Sequence, residues 1–516
     1  MSGAAPAGRA PAGRAPAAGR RSPAAGRDLA LVAAAAAATV AVAVAATRRP
    51  LAALALLALL AAGGGVVLAR ARLARLDPGR PLTALFVSLP LLALLGPSFA
   101  LPQAPNLFLF RLGIAAVVAL GLPYWLSRRR PVAFAAGDLA LPLALWAAWL
   151  ALGAAWAADK PAAFRYLAVV ATMLFALAGA AAAGGTRRRL VGFGWTMVAG
   201  YLFIAGFSLV EARLGVRLPT SRLLTAVTSQ TWAVTSVFHN QNDLATYLAL
   251  CWPFLLSAVV FTRRPRWLLP AAALFALGAY AFVRTGSRSS LVAAGLSALA
   301  AVALYWRGRP TTRAGKAAVA VAVALACLGG AWLLFNNSAD PMLRQFRLES
   351  LLEQTRRQSG SGAIRSSLTE RGLRIAGESL LLGAGPGQAE RLVGSGLDAL
   401  GITNLHNWWL ETYADGGLPG FALHLAFYAG LLVATWRVAR RDPDPLLRFL
   451  AGGTALALVG FVVGAVGPSS SVSFAPMWIL YGLGLAVVSR ARLAAREQEG
   501  SRGNGGRADA AGGARP

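Results

Sequence analysis

The chain has 516 residues, of which 57% are hydrophobic and only 14% are charged, and its mean hydropathy is +0.58. Because soluble domains carry about 25% charged residues, this composition excludes an ordinary water-soluble globular protein. The net charge of +30 comes from Arg residues in short clusters between apolar runs, a placement that favours topology signals and anionic headgroups over a nucleic-acid partner.

The two ends of the chain differ from the rest. Residues 1–27 are mostly Ala, Pro, Gly and Arg and are predicted to form a disordered cytoplasmic tail, because such a segment builds no core. Residues 491–516 are again rich in Gly, Arg and Ala and are predicted to form a second disordered cytoplasmic tail.

Between the tails, about fourteen apolar runs approach the 20 residues that a helix needs to cross a bilayer. Helices are expected because lipid satisfies no backbone hydrogen bonds. The sequence therefore predicts an all-α, polytopic transmembrane helical bundle of about 12–14 spans, and the basic hairpin at Thr47–Pro50 separates the two counts. The predicted spans are 29–46, 51–69, 82–100, 107–126, 139–156, 164–183, 190–210, 243–262, 267–284, 289–306, 317–335, 418–438, 447–467 and 472–490.

The loops between these runs alternate in charge. Basic loops such as Arg128–Arg130 and Arg187–Arg189 alternate with loops poor in Lys and Arg, such as 101–106 and 157–163. The positive-inside rule places the basic loops in the cytoplasm and the others outside. The predicted organisation is amino-terminal transmembrane helices in 28–210, followed by a region 211–490 that includes two outside segments, 211–242 and the large extracytoplasmic loop 336–417.

The first polar motif is Val237-Phe238-His239-Asn240-Gln241-Asn242-Asp243-Leu244-Ala245, at the start of a predicted span. Polar groups at a helix N-terminus lie where the helix dipole favours an anion. Asn and Asp are also good N-caps. The motif therefore predicts either an anion-binding helix start or a capped helix.

The second motif is Arg284-Thr285-Gly286-Ser287-Arg288, in a tight outside turn. Arg284 and Arg288 run against the positive-inside trend. They either extend to lipid headgroups or bind a diphosphate, because guanidinium groups match phosphate oxygens.

The third motif begins at Arg365 in the large loop and continues through Arg371 and Arg374, on a predicted helix, to Gly383-Ala384-Gly385-Pro386-Gly387. The glycines predict a backbone turn that approaches a partner closely. No strand and helix flank them in the way a nucleotide-binding fold requires.

The fourth motif is Leu405-His406-Asn407-Trp408-Trp409-Leu410-Glu411, followed by Gly416-Gly417-Leu418-Pro419-Gly420. His406 lies at the outside edge, where a histidine can act as a base, whereas His424 is predicted to be packed inside a span. Trp408 and Trp409 are predicted to form either an interfacial belt or a sugar-stacking surface.

In this order, the four motifs resemble the O-antigen ligase and O-antigen polymerase superfamily of bacterial inner-membrane glycan transferases. The resemblance covers about residues 235–420, and the amino-terminal half matches only as a series of spans. Ser236, Gln241 and Thr369 depart from the usual pattern of the family.

The resemblance implies transfer of a glycan from a polyprenyl-diphosphate-linked donor to a glycan or lipid-linked acceptor, in the bacterial cytoplasmic (inner) membrane. Arg288, supported by Arg284, and Arg365 are the candidate diphosphate ligands. His406 is the candidate base, and the candidate positioning groups are Asn240, Asn242, Asn407 and Glu411. Membrane lipids are the other expected partners. Polymerase and ligase activities remain alternatives.

No cofactor and no metal is expected, because the His and carboxylate residues lack metal-ligand spacing. Cys251 and Cys327 lie in apolar runs and are predicted to pack as small apolar residues. The competing class is a transporter or flippase without catalytic activity. That class typically places charged residues in the middle of its spans, whereas these spans are almost free of charge at their centres.

Overall fold

The computed structural model describes residues 134–512 apart from 225–231, 262–267, 307–312, 358–359, 380, 395–403 and 469–471, together with a few positions between 85 and 119. All of these lie in one compact unit, Pro78–Pro516. The predicted amino-terminal tail, the hairpin at Thr47–Pro50 and the first two predicted spans lie outside the described residues.

The described part of the chain is mainly helical, as predicted. In chain order the helices are α1 (Gly137–Gly153), α2 (Lys160–Ala183), α3 (Arg187–Leu214), α4 (Gln241–Phe261), α5 (Leu268–Thr285), α6 (Arg288–Trp306), α7 (Arg313–Phe335), α8 (Pro341–Arg344), α9 (Leu348–Arg356), α10 (Gly360–Glu378), α11 (Gln388–Gly394), α12 (Trp408–Arg441), α13 (Pro445–Gly464) and α14 (Ala475–Gly512). A 3-10 turn covers Arg222–Leu224.

Two features depart from the predicted helices and tails. A short antiparallel pair, β1 (Ala100–Leu101) and β2 (Ala104–Phe108), lies between two predicted spans, where Pro102 and Pro105 disfavour a helix. The predicted carboxyl-terminal tail, residues 491–516, is helical as far as Gly512, because its first residues include the strong helix formers Ala, Arg, Glu and Gln.

Five of the described helices are long and apolar enough to cross a membrane: Lys160–Ala182, Arg187–Leu214, Trp408–Arg441, Pro445–Gly464 and Ala475–Glu499. Shorter apolar helices cover Gly137–Gly153, Ala272–Thr285 and Arg288–Leu304. The prediction of an all-α membrane protein that crosses the bilayer several times is therefore confirmed. The total of 12–14 spans stays a prediction.

The helices alternate in direction, so the bundle has two distinct ends. At one end, here called the basic end, Arg492 pairs with Asp138 in the first turn of α1. At the same end, Arg187 at the start of α3 pairs with Asp444, the N-cap of α13. Among the described residues, the Arg-rich connections at Arg187–Arg189 and Arg440–Arg441, which the sequence places in the cytoplasm, lie at this end.

At the opposite end, here called the motif end, the starts of α4, α6 and α12 meet the end of α13. The amide N–H of Trp408 donates to Ala465 O at 3.0 Å. A Cβ on Gly467 would lie 2.9 Å from Thr246 Oγ1 of α4 and 3.4 Å from Ser289 Oγ of α6. The first, second and fourth sequence motifs therefore lie at one end of the bundle, and the glycine turn of the third joins them, because Ala384 N donates to Ala414 O of α12 at 2.9 Å.

An aromatic cluster packs the interior between α1, α12, α13 and α14. At its centre is His424, which is 1% exposed and accepts a hydrogen bond at Nε2 from Trp408 Nε1 at 3.2 Å. The rings around it are Trp146, Trp408, Trp409, Phe427 and Tyr481. His424 is thus a packed, hydrogen-bonded residue, as predicted.

Candidate active site

The first motif forms the capped start of α4. Asn240, immediately before the helix, is buried, and its Oδ1 accepts the amide N–H of Asn242 at 2.9 Å. Its carbonyl also accepts the amide N–H of Asp243 at 3.1 Å. The structure therefore favours the capping interpretation for Asn240. His239 is exposed, and its Nδ1 lies 2.8 Å from Thr220 O.

Arg222, which the sequence analysis did not single out, lies beside this helix start. Its backbone N–H donates to His239 O at 3.0 Å, and its Nε donates to Gln241 Oε1 at 3.1 Å. Burial lowers the pKa of Arg222, while the charge of Asp243 opposes that shift. Arg222 belongs to no motif, and its only signal in the sequence was a basic residue in an outside segment.

A buried carboxylate holds the segment that leads to this helix. Glu211, in the last turn of α3, is 3% exposed and accepts the amide N–H groups of Thr235 at 2.9 Å and Ser236 at 2.6 Å. Ser236 has a φ of 52°, a conformation that costs a non-glycine residue about 1 to 3 kcal/mol. The Glu211 contacts fix the backbone there and thereby fix the start of α4.

The two arginines of the second motif have different surroundings. Arg284 Nη2 donates to Ala212 O at 3.3 Å, and its Nη1 lies 3.8 Å from Met342 Sδ, so this side chain joins the end of α3 to α8. Arg288 opens α6, is partly buried, and donates from Nη2 to Gln354 Oε1 of α9 at 3.1 Å. Arg284 thus contacts the loop helix α8, whereas Arg288 contacts the loop helix α9.

Arg365 on α10 lies close to Arg288. Burial lowers the pKa of Arg365, and the positive charge of Arg288 lowers it further. Within the part of the chain that the structure describes, the Arg365 guanidinium has no hydrogen-bond or ion-pair partner. An arginine stays protonated at neutral pH even so, and a partly buried cation beside a second cation favours an anionic ligand.

His406 lies in the same group. Burial lowers the pKa of His406 to about 4, and the charges of Arg365 and then Arg222 lower it further, although a hydrogen bond to the Pro468 backbone opposes the shift. His406 is therefore neutral at physiological pH. Its φ of 48° lies in the left-handed region, and such backbone strain recurs at functional sites.

The residues after His406 start α12. Asn407 is its N-cap, with Oδ1 accepting the amide N–H groups of Trp409 at 3.1 Å and Leu410 at 3.3 Å. Glu411 lies one turn on and acts electrostatically on Tyr166 of α2. Trp408 is 1% exposed, so it forms neither an interfacial belt nor a sugar-stacking surface, because the aromatic cluster encloses it.

The structure thus brings together Arg222, Arg288, Arg365 and His406 from four separate segments. The positive ends of α4, α6 and α12 lie at the same end of the bundle and add to the field. Arg284 and Glu411 contact other parts of the protein, and Asn240, Asn242 and Asn407 build the helix starts.

No group of three or more His, Cys, Asp or Glu residues that could hold a metal occurs within the described residues. The chain is a polytopic helical membrane protein with a cationic site beside a neutral histidine.

Comparisons with known proteins agree with this class. Residues 271–425 match the family model for O-antigen ligase, a range that contains Arg288, Arg365 and His406 but not Arg222. The chain is also 25% identical over 400 residues to the teichuronic acid biosynthesis protein TuaE of Bacillus subtilis (strain 168), covering 74% of this chain and 79% of that protein. Both matches support the resemblance to the O-antigen ligase and O-antigen polymerase superfamily of membrane glycan transferases that the motifs predicted.

Proposed function

We propose that this chain transfers glycans from a polyprenyl-diphosphate-linked donor to a glycan or lipid-linked acceptor at the extracytoplasmic face of the bacterial cytoplasmic membrane. The observation that carries the proposal is the cluster of Arg222, Arg288 and Arg365 around the neutral His406. In this proposal, residues 211–490 hold the active site, and residues 28–210 supply supporting spans.

The cluster suits the chemistry of the donor. When the bond from the anomeric carbon to the diphosphate oxygen breaks, the leaving diphosphate takes the electron pair. Guanidinium groups held in place before the reaction stabilise that developing charge without having to reorganise. The unpaired Arg365 and the Arg288 beside it are the candidates for this contact, and Arg222 adds a third positive charge.

His406 suits the acceptor half of the reaction. The acceptor hydroxyl oxygen forms the new bond to the anomeric carbon, and its proton passes to a base. A histidine accepts a proton only in its neutral form, and burial and the neighbouring arginines keep His406 neutral. The hydrogen bond to the Pro468 carbonyl uses one ring nitrogen and leaves the other to face the hydroxyl.

The position of the cluster also suits a lipid-linked donor. The site lies at the ends of apolar helices, where a diphosphate meets its polyprenyl chain at the membrane boundary. The name of the relative TuaE refers to teichuronic acid biosynthesis, which supports a cell-surface polysaccharide as the product class. Purified protein with a labelled lipid-linked oligosaccharide would distinguish the two alternatives: longer lipid-linked chains indicate a polymerase, and transfer to a different acceptor indicates a ligase.

Single substitutions in the cluster test the proposed function. Arg288→Ala and Arg365→Ala should each lower glycan transfer about 100- to 1,000-fold, the usual effect of removing one donor to a developing negative charge. His406→Ala should lower transfer by about 100-fold or more. Arg222→Ala should also lower transfer. Transfer is measured in reconstituted vesicles, with membrane levels of each variant as a reference.

Matched controls are present in the chain. Arg374 lies on α10 with Arg365 but is exposed, and His239 is an exposed histidine at the same end of the bundle. Arg374→Ala and His239→Ala should keep transfer within about twofold of the wild type. Full transfer in Arg288→Ala and His406→Ala, or equal losses in the controls, would overturn the proposed function.

A further inference from the structure

We infer that Asp415 is a positioning residue for glycan transfer, holding the segment that carries Arg365 against α12, the helix that begins directly after His406 and Asn407. This inference rests on the proposed function. Asp415 lies on α12, two turns after His406, and is 2% exposed. None of the four motifs in the sequence analysis gave it a role.

The side chain of Asp415 anchors the glycine turn of the third motif. Its Oδ2 accepts the amide N–H of Gly387 at 3.0 Å, and its Oδ1 accepts that of Ala389 at 2.8 Å. These donors lie at the start of α11, so the carboxylate caps that helix. Two hydrogen bonds from one buried side chain fix both the position and the direction of the turn.

A break in α12 provides further bonds to the same turn. In a regular helix, the carbonyls of Ala414 and Asp415 would accept from residues 418 and 419. Pro419 has no N–H, and Gly417 has non-helical φ and ψ values of 63° and −168°. The freed groups bind the turn instead: Ala384 N donates to Ala414 O at 2.9 Å, Gly385 N to Asp415 O at 3.1 Å, and Leu418 N to Leu381 O at 2.7 Å.

The glycine turn is also connected to α10, the helix that carries Arg365. Leu392 O of α11 accepts both Nε and Nη2 of Arg371, at 3.1 and 2.7 Å, and Arg371 lies on α10 with Arg365. A small apolar cluster packs the same helices onto the start of α12; it comprises Leu368, Ile375, Ala389, Val393, Leu405, Leu410 and Ala414. Asp415 thus acts on Arg365 through α11 and Arg371.

The test combines Asp415→Asn with amide hydrogen exchange and kinetics on the full-length protein. Asn keeps the shape but replaces one of the two acceptor oxygens by an NH₂ group, which faces a backbone donor and cannot accept its hydrogen bond. Exchange should become faster in residues 381–394, and transfer should fall at least tenfold. The acid limb of the kcat/KM profile should move upward from about pH 4, because Arg365 would lie farther from His406.

Asp340→Asn is the matched control, because Asp340 also caps a helix of this segment, accepting the Met342 amide N–H at 2.8 Å, but is exposed and caps α8, not α11. It should leave transfer and the acid limb unchanged. Arg371→Ala leaves Asp415 intact and should reproduce the Asp415→Asn result. It therefore tests the positioning role even if the Asp415→Asn protein does not accumulate in the membrane.

The outcomes separate this inference from the proposed function. Unchanged exchange in residues 381–394 would overturn the anchoring role, whatever the chain catalyses. Faster exchange with full transfer, or lost transfer with an unmoved acid limb, would overturn the positioning role. The proposed function fails on a different result, namely a wild-type protein that transfers no glycan from a lipid-diphosphate donor.

Discussion

At the scale of single residues, four motifs indicated the chemistry, but sequence did not separate ligands from structural groups. Arg284 and Arg288 are equivalent in the turn Arg284-Thr285-Gly286-Ser287-Arg288. The structure directs Arg284 to Ala212 and Arg288 to Gln354, a choice that depends on distant segments. Arg222 was missed for the same reason, because its importance arises only where the segment after α3 folds back beside α4.

The protonation of His406 gives a prediction at this scale. Its pKa is lowered to about 4, first by burial and then by Arg365 and Arg222. A depressed pKa keeps the base neutral, so kcat/KM should stay level from about pH 7.5 down to about 5.5 and fall only near pH 4. An unperturbed histidine, with a pKa of about 6.5, would lose most activity by about pH 5.5. A pH profile of glycan transfer checks this, and an acid limb near 6.5 would contradict it.

At the scale of elements, apolar runs predicted the spans well but located their ends less well. The predicted span 418–438 is the second part of α12, which begins ten residues earlier at Trp408. The polar stretch before Gly417 suggested a loop, because Asp415 and Glu411 do not suit a lipid-facing helix. Asp415 is tolerated there because backbone amides of the glycine turn surround its carboxylate.

The helix break itself can be tested by Gly417→Ala. The φ of 63° at Gly417 disfavours any residue with a Cβ, and that atom would also collide with the Leu381 carbonyl. We expect a loss of about 1 to 3 kcal/mol of stability from the backbone conformation alone, seen as a lower thermal midpoint in detergent, together with reduced transfer. Gly206→Ala is the control, because a Cβ there meets nothing within 4 Å; its midpoint should not fall.

At the scale of the whole molecule, composition and loop charge predicted a multi-pass helical protein whose motifs share one face. The structure agrees that the motifs lie together at one end and several Arg-rich connections at the other. Sequence did not predict how α10 and α11 pack, because their small cluster is built from residues on both sides of the segment 395–403. That packing places Arg365 beside Arg288, although the two residues are far apart in the chain.

The orientation of the two ends in the membrane can be measured directly. After replacement of Cys251 and Cys327, Ser366→Cys at the exposed surface of α10 should react with a membrane-impermeant maleimide applied from the extracytoplasmic side. Arg440→Cys, exposed at the basic end, should react only after the membrane is opened. The reverse pattern would contradict the positive-inside assignment.

The break at Gly417–Pro419 also has a consequence for how such proteins diverge. Because α12 gives up its own backbone bonds to the turn at 381–389, neither segment is complete alone. A hybrid that takes only one of them from a homologous protein pairs mismatched surfaces. A hybrid that takes residues 381–389 and 414–419 together keeps the fit. The two stretches should therefore be inherited as one unit, although 24 positions of intervening chain separate them.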